Sequence, residues 1–214
     1  PEAARAAARI FILDSLGVGL IGSAGPWAAE LVKTQALWGC GDDARVWSHG
    51  ARLPAPAAAM CNAYQMHNSE FDCVHEGAVV HALSIVLPCA LAEAERRVGA
   101  TGADFMTSVV LGADVACNLG LAATSGLRFF RPGTAGLFGG VTAIAKLREQ
   151  GLISGVSAGM NQWEMLSAFA RAGNFDCFLL AGRYSLLEQS ALDDLLPLCQ
   201  EKNIGILAGG TYNS

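Results

Sequence analysis

The sequence predicts a chain of two parts, a predominantly α-helical first part over residues 1–146 and a β-α-β-α-β segment over 147–214. Two observations carry this. In the first part apolar residues recur every three to four positions along alanine-rich stretches, the period of a helix with one buried side. In the second, short apolar runs alternate with amphipathic stretches, the pattern of a parallel sheet whose strands are covered on both faces.

Taken in order, residues 2–21 place Ile10, Leu13, Leu16 and Leu20 on one helical side, which predicts a helix that buries them. Residues 26–39 repeat the pattern. "GDDARVWSHGARLPAP" reads as a polar connection, and 56–67 is again helical in composition. Residues 82–97 and 103–123, rich in Ala, Leu and Val, predict helices buried on most sides, and "AIAKLREQGL" reads as one unbroken helix joining the two parts. Beyond it "LISGVSAG", "FDCFLLAG" and "IGILAGG" predict strands, separated by helices in "MNQWEMLSAFARAG" and "EQSALDDLLPLCQEKN".

Composition narrows the function. The chain is 52% hydrophobic and 15% charged, too apolar for disorder and apolar enough that some surface is expected to meet a partner. A net charge of -5 without a run of Lys or Arg excludes a nucleic-acid surface, which needs clustered positive charge. Seven cysteines without a CxxC pair suggest neither a disulfide framework nor a thiolate zinc site, and predict reduced thiols in a cytoplasmic protein. No stretch reaches 18 uncharged apolar residues, so no membrane-spanning helix is predicted.

The chemistry gathers in "NSEFDCVHEGAVVHA", residues 68–82. With His67 it holds all but one of the four histidines. Histidine gives and takes protons near neutrality, and a neighbouring carboxylate orients the ring and stabilises its charged form. Asp72, His75 and His81 are the candidate catalytic set, converging from a loop between helices. A divalent metal on His67, Asp72, His75 and His81 is the rival reading, but the spacings match no H-x₃-H or HExxH arrangement, and no metal is expected. The bland alternative is that the histidines cap helices or satisfy buried carbonyls. A second candidate is "RFFRPGTAGLFGG", residues 128–140, whose arginines, threonine and glycines at a helix entrance can hold a carboxylate. There the alternative is a turn whose glycines start a closely packed helix.

With these residues in view, the first part resembles the MmgE/PrpD family of 2-methylcitrate dehydratase-like lyases. The matching stretches are "ILDSLGVGLIGS", "NAYQMHNSEFDCVHEGAVVH", "VLPCALAEAE" and "RPGTAGLFGGVTAIAKLR", within residues 1–148. The resemblance implies a helical domain of a metal-independent dehydratase or decarboxylase, acting on small polycarboxylates as a homodimer without a cofactor. By resemblance Asp72 and His81 carry catalysis with His75 between them, and Arg131 and Thr134 line the substrate pocket. The family's later catalytic lysine and histidine find no counterpart here, which implies an incomplete lyase.

Residues from about 147 to 214 resemble the sugar-dehydrogenase branch of the aldo/keto reductases, which implies a partial β/α-barrel. Asn161 matches a residue that in that family contacts the nicotinamide, a vestigial cofactor contact, since the Asp, Tyr, Lys and His tetrad is absent. Val156, Phe178, Leu180 and Ile206 are expected on the inner face of this partial barrel. The chain thus reads as a fusion. The alternatives to a lyase are a non-catalytic, dimerising module and, last, an NAD(P)-dependent reductase.

Overall fold

The computed structural model describes residues 2–122, 132–149, 155, 157–182 and 184–210. The chain is mainly helical and divides into two compact units, Pro1–Leu152 and Ile153–Ser214.

Among its described residues the first unit has six α-helices, α1 (Glu2–Gly22), α2 (Ala28–Trp38), α3 (Ala55–His67), α4 (Leu83–Arg96), α5 (Gly102–Ala122) and α6 (Leu137–Glu149). Helix α4 lies among α3, α5, α6 and α1, and its Val86, Leu87 and Ala90 are fully buried. Burying a side chain such as Leu87 contributes about 1.5–3 kcal/mol. Glu93, buried near the end of α4, is held by Arg96 at 2.6 and 2.8 Å and by Arg97 at 3.2 Å. That pairing compensates a carboxylate taken out of water.

The polar connection between α2 and α3 carries a two-residue antiparallel ribbon that was not expected, β1 (Ala44–Arg45) with β2 (Arg52–Leu53). Asn62 of α3 secures it, accepting from the Trp47 N–H at 3.0 Å and donating to the Arg45 carbonyl at 2.9 Å.

Helix α1 corrects the expected buried side. Ile10, Leu13 and Leu20 are 68%, 73% and 51% exposed and Leu16 alone of the expected four packs, partly buried, against the core, whereas Ala8, Ser15, Gly19 and Gly22 are buried. The reason is close approach: a Cβ on Gly22 would lie 1.9 Å from the Gln65 carbonyl oxygen of α3, and one on Gly19 would lie 2.7 Å from the Trp47 ring. The small side faces inward because only it lets the two backbones come that near.

Between the described parts of α5 and α6 stands a π-helical turn, Pro132–Gly136. Gly112 and Gly139 face one another where α5 crosses α6. The glycines of "RFFRPGTAGLFGG" therefore serve close packing at least in part. Among the described residues α5 is the one helix long and apolar enough to cross a membrane. Asp104 and Asp114 interrupt it, and it packs on α6, α4 and α1.

The second unit is a parallel sheet in the order β3 (Ser157–Met160), β4 (Cys177–Ala181) and β5 (Gly205–Gly209), with α7 (Trp163–Ala172) and α8 (Leu195–Glu201) in the connections. The register aligns Ala158 with Phe178 and Ile206, and Gly159 with Leu179 and Leu207. The expected helix over 188–203 is broken into a 3₁₀ turn, Ser190–Leu192, and α8. Pro197 explains the break, because a residue without an N–H fits only the first turn of a helix.

The assignment of the inner barrel face is corrected. Phe178 and Leu180 are fully buried and pack with Leu166, Ala170, Leu195 and Cys199 of the helices, joined by Ile206. The opposite face shows Leu179 and Leu207, 41% and 60% exposed. Among the described residues the helices bury one sheet face and leave the other exposed. Val156 lies outside the described residues.

Candidate functional site

The loop between α3 and α4 begins at His67, the last residue of α3. Its backbone is constrained: Glu70 and Val79 have φ of 54° and 51°, uncommon for any side chain and an outlier for a β-branched one. His75 and Val80 pair across a tight turn through N–H to carbonyl bonds of 3.0 and 3.4 Å. Ser84 donates to the His81 carbonyl at 2.7 Å where α4 begins. Such strain persists only where the surroundings over-determine it, and it concentrates at functional sites.

Within this loop the Asp72 side chain is wholly buried, and it meets two imidazoles. His67 Nδ1 lies 3.1 and 3.0 Å from the two carboxylate oxygens. His81 Nδ1 lies 3.3 Å from Oδ2 and 3.1 Å from the Asp72 carbonyl oxygen. The rings meet edge to face, with centroids 4.9 Å apart. Each Nδ1 faces acceptors, so each carries the hydrogen and donates it. In a neutral ring the lone pair is then left on Nε2, which makes His81 Nε2 a base oriented by the Asp72 main-chain carbonyl, beside a buried carboxylate. An imidazole held this way can take up a proton and return it.

The structure brings Asp72 and His81 together and leaves His75 apart. His75 is exposed, and its Nδ1 accepts from the Ala78 N–H at 3.1 Å. It lines a separate, largely apolar cavity of about 570 Å³ with Phe11, Cys73, Val109, Asp114 and Leu121. Its place in the converging set is taken by His67, which sequence reasoning admitted only as a metal ligand. The five-residue step from His67 to Asp72 is no recognised motif, so only its place at the end of α3 reveals the contact. Cys73 follows Asp72, and its thiol is pushed up chiefly by burial, with the charges of Asp14 and Asp72 adding to the rise.

Arg131 lies outside the described residues, and Thr134 belongs to the π-helical turn by its backbone. In the second unit Asn161 follows β3 and lines a cavity of about 590 Å³ with Gln162, Trp163, Glu164, Glu188 and Ser190. Two carboxylates and no cation stand among these lining residues, an unfavourable setting for a pyrophosphate.

With this geometry in hand, the chain matches the model of the MmgE/PrpD N-terminal domain over residues 1–177 and belongs to that family. The match runs past residue 148, where the quoted motifs end. The family is of lyase type, and cis-aconitate decarboxylase of Aspergillus terreus is 29% identical over 119 residues, 54% of this chain and 24% of its own length. Pyridoxal 4-dehydrogenase of Microbacterium luteolum is 40% identical over 76 residues, 36% of this chain and 22% of that protein. D-threo-aldose 1-dehydrogenase of a Pseudomonas species is 36% identical over 72 residues, 34% of this chain and 22% of that protein. The chain thus spans about a quarter or less of the length of each of these relatives.

Proposed function

We propose that this chain is the partial catalytic domain of a dehydratase or decarboxylase acting on small polycarboxylates without a cofactor. The observation that supports this best is the buried Asp72 carboxylate clasped by two imidazoles, an arrangement suited to moving a proton beside a substrate carboxylate. In this reading His81 Nε2 takes or gives the proton, Asp72 orients the ring, and Arg131 and Thr134 hold a substrate carboxylate. His75 acts in support from the neighbouring cavity. The protein is proposed to be cytoplasmic and homodimeric, the second copy covering the apolar stripe of Ile10, Leu13 and Ile21 on α1; sedimentation velocity reports that mass.

A segment spanning a quarter of a relative's length is expected to turn over slowly, since well-oriented groups account for about 7–11 kcal/mol of a barrier. The test therefore reads the proton step as well as turnover. The purified chain is incubated in D₂O with 2-methylcitrate and with cis-aconitate, and deuterium incorporation, elimination and decarboxylation are followed by NMR and mass spectrometry. The expected result is incorporation or turnover that falls about a hundredfold or more in His81→Ala, the usual contribution of a general acid–base group. No reaction with either acid sinks the proposal. It would favour the second reading, a non-catalytic module that dimerises through α1, to which the exposed apolar stripe also points.

A further inference from the structure

We infer that His67, Asp72 and His81 form a binding site for a divalent transition-metal ion, with Zn²⁺ the best-fitting ion. Positions 67, 72 and 81 match no linear metal motif, yet the fold brings one nitrogen of each imidazole and one carboxylate oxygen within 4.8 Å of one another. Asp72 Oδ2 is 3.0 Å from His67 Nδ1 and 3.3 Å from His81 Nδ1. Zinc bonds of about 2.0–2.1 Å place neighbouring donors about 3.3–3.4 Å apart in a tetrahedron, so the two carboxylate–imidazole separations already fit, and the set, which spans up to 4.8 Å, contracts around an ion. The Asp72 carbonyl oxygen, 3.1 Å from His81 Nδ1, stands beside the same point.

The donor chemistry agrees. Two imidazole nitrogens and one carboxylate oxygen suit zinc, copper, nickel and iron better than calcium or magnesium, which prefer oxygen. The carboxylate is buried, while the His67 and His81 side chains keep 25% and 19% of their surface exposed, so an ion can enter past the rings and keep a water ligand. Proton balance is simple for neutral rings: the metal replaces the hydrogen on each Nδ1, and each ring keeps one proton, now on Nε2. For His67 that nitrogen lies 3.9 Å from Glu70 Oε1, within a small movement of a hydrogen bond. A carboxylate accepting from the distal nitrogen is the arrangement that orients metal-binding histidines.

Occupancy ties up Asp72 and His81. The corollary that Zn²⁺ inhibits proton transfer is the one part that rests on the lyase reading. The test needs no turnover. The full chain, freed of metal by chelation, is titrated with Zn²⁺ by calorimetry and with Co²⁺ by absorption spectroscopy. One Zn²⁺ per chain is expected, with His67→Ala and Asp72→Asn each weakening binding about tenfold or more and His75→Ala changing it less than about twofold. Circular dichroism accompanies each variant, and a Co²⁺ spectrum of the unmutated chain without thiolate charge transfer assigns nitrogen and oxygen ligands even where a variant fails to fold. Absence of stoichiometric binding, a thiolate charge-transfer band, or equal binding by all three variants overturns the inference.

Discussion

Asp72 shows how much one buried carboxylate can organise. The His67 Nδ1–H donates to its side chain and the His81 Nδ1–H to its backbone carbonyl, 3.3 Å from the same carboxylate, and both rings are thereby held in one tautomer. The residue types were legible in the sequence, because three histidines and an acid within fifteen positions of a charge-poor chain invite a proton-transfer reading. Which histidines converge was not legible: the turn closed by His75 and Val80 sends His75 to another surface, and the end of α3 supplies His67 instead. Single thiols carry a prediction at the same scale. Burial pushes the Cys61 and Cys89 thiols from an ordinary value near 9 up to about 11, whereas Cys40 is exposed. The folded state holds these protons more tightly than the unfolded chain. Their contribution to stability is therefore fully present below about pH 9 and lost as pH rises through about 11. At pH 8 iodoacetamide is expected to modify Cys40 first and Cys61 and Cys89 about a hundredfold more slowly, followed by peptide mass spectrometry. Equal rates would contradict the burial of these two thiols.

At the scale of elements, close contacts between helices are made by glycines. A Cβ on Gly112 would lie 2.6 Å from the Gly139 carbonyl oxygen, and one on Gly139 would lie 2.4 Å from that of Gly112. The obstacle is backbone, so neither side can yield without moving a helix. Gly112→Ala and Gly139→Ala are each expected to destabilise the chain by about 1–3 kcal/mol in urea denaturation, the usual cost of overpacking. Gly17 of α1 has nothing within 4 Å of its added Cβ. Gly17→Ala is therefore expected to stabilise by about 0.5–1 kcal/mol through helix propensity alone. A neutral result at both crossing positions would contradict the close packing of α5 on α6. Helix positions and approximate ends were legible from apolar period and composition. Helix faces were read less well, because period marks large side chains and the buried side of α1 is made of small ones.

At the scale of the whole molecule, the second unit is an open sheet. Among the described residues of that unit β3 and β5 are edge strands of a three-stranded sheet, and Leu179 and Leu207 stand exposed on the face the helices leave bare. At about 25 cal/mol per Å² of apolar surface left in water, a few hundred Å² of such a face costs several kcal/mol. The cavity at Asn161 is lined by Glu164 and Glu188, and carboxylates repel a dinucleotide phosphate. Titration of the chain with NADPH, read by fluorescence and thermal shift, is therefore expected to give no saturable binding in the micromolar range. Saturation there would return a reductase reading to the front.

The sequence by itself determined the helical first part, the alternating second part and the loop that carries the chemistry, because periodicity and residue type are local properties. Only the tertiary structure decided which side of α1 is buried, which face of the sheet the helices cover, and which histidines share Asp72. Those outcomes depend on how near two backbones can come and where a strained turn sends each side chain. Both are set by contacts between residues far apart in the chain, and no local pattern encodes them.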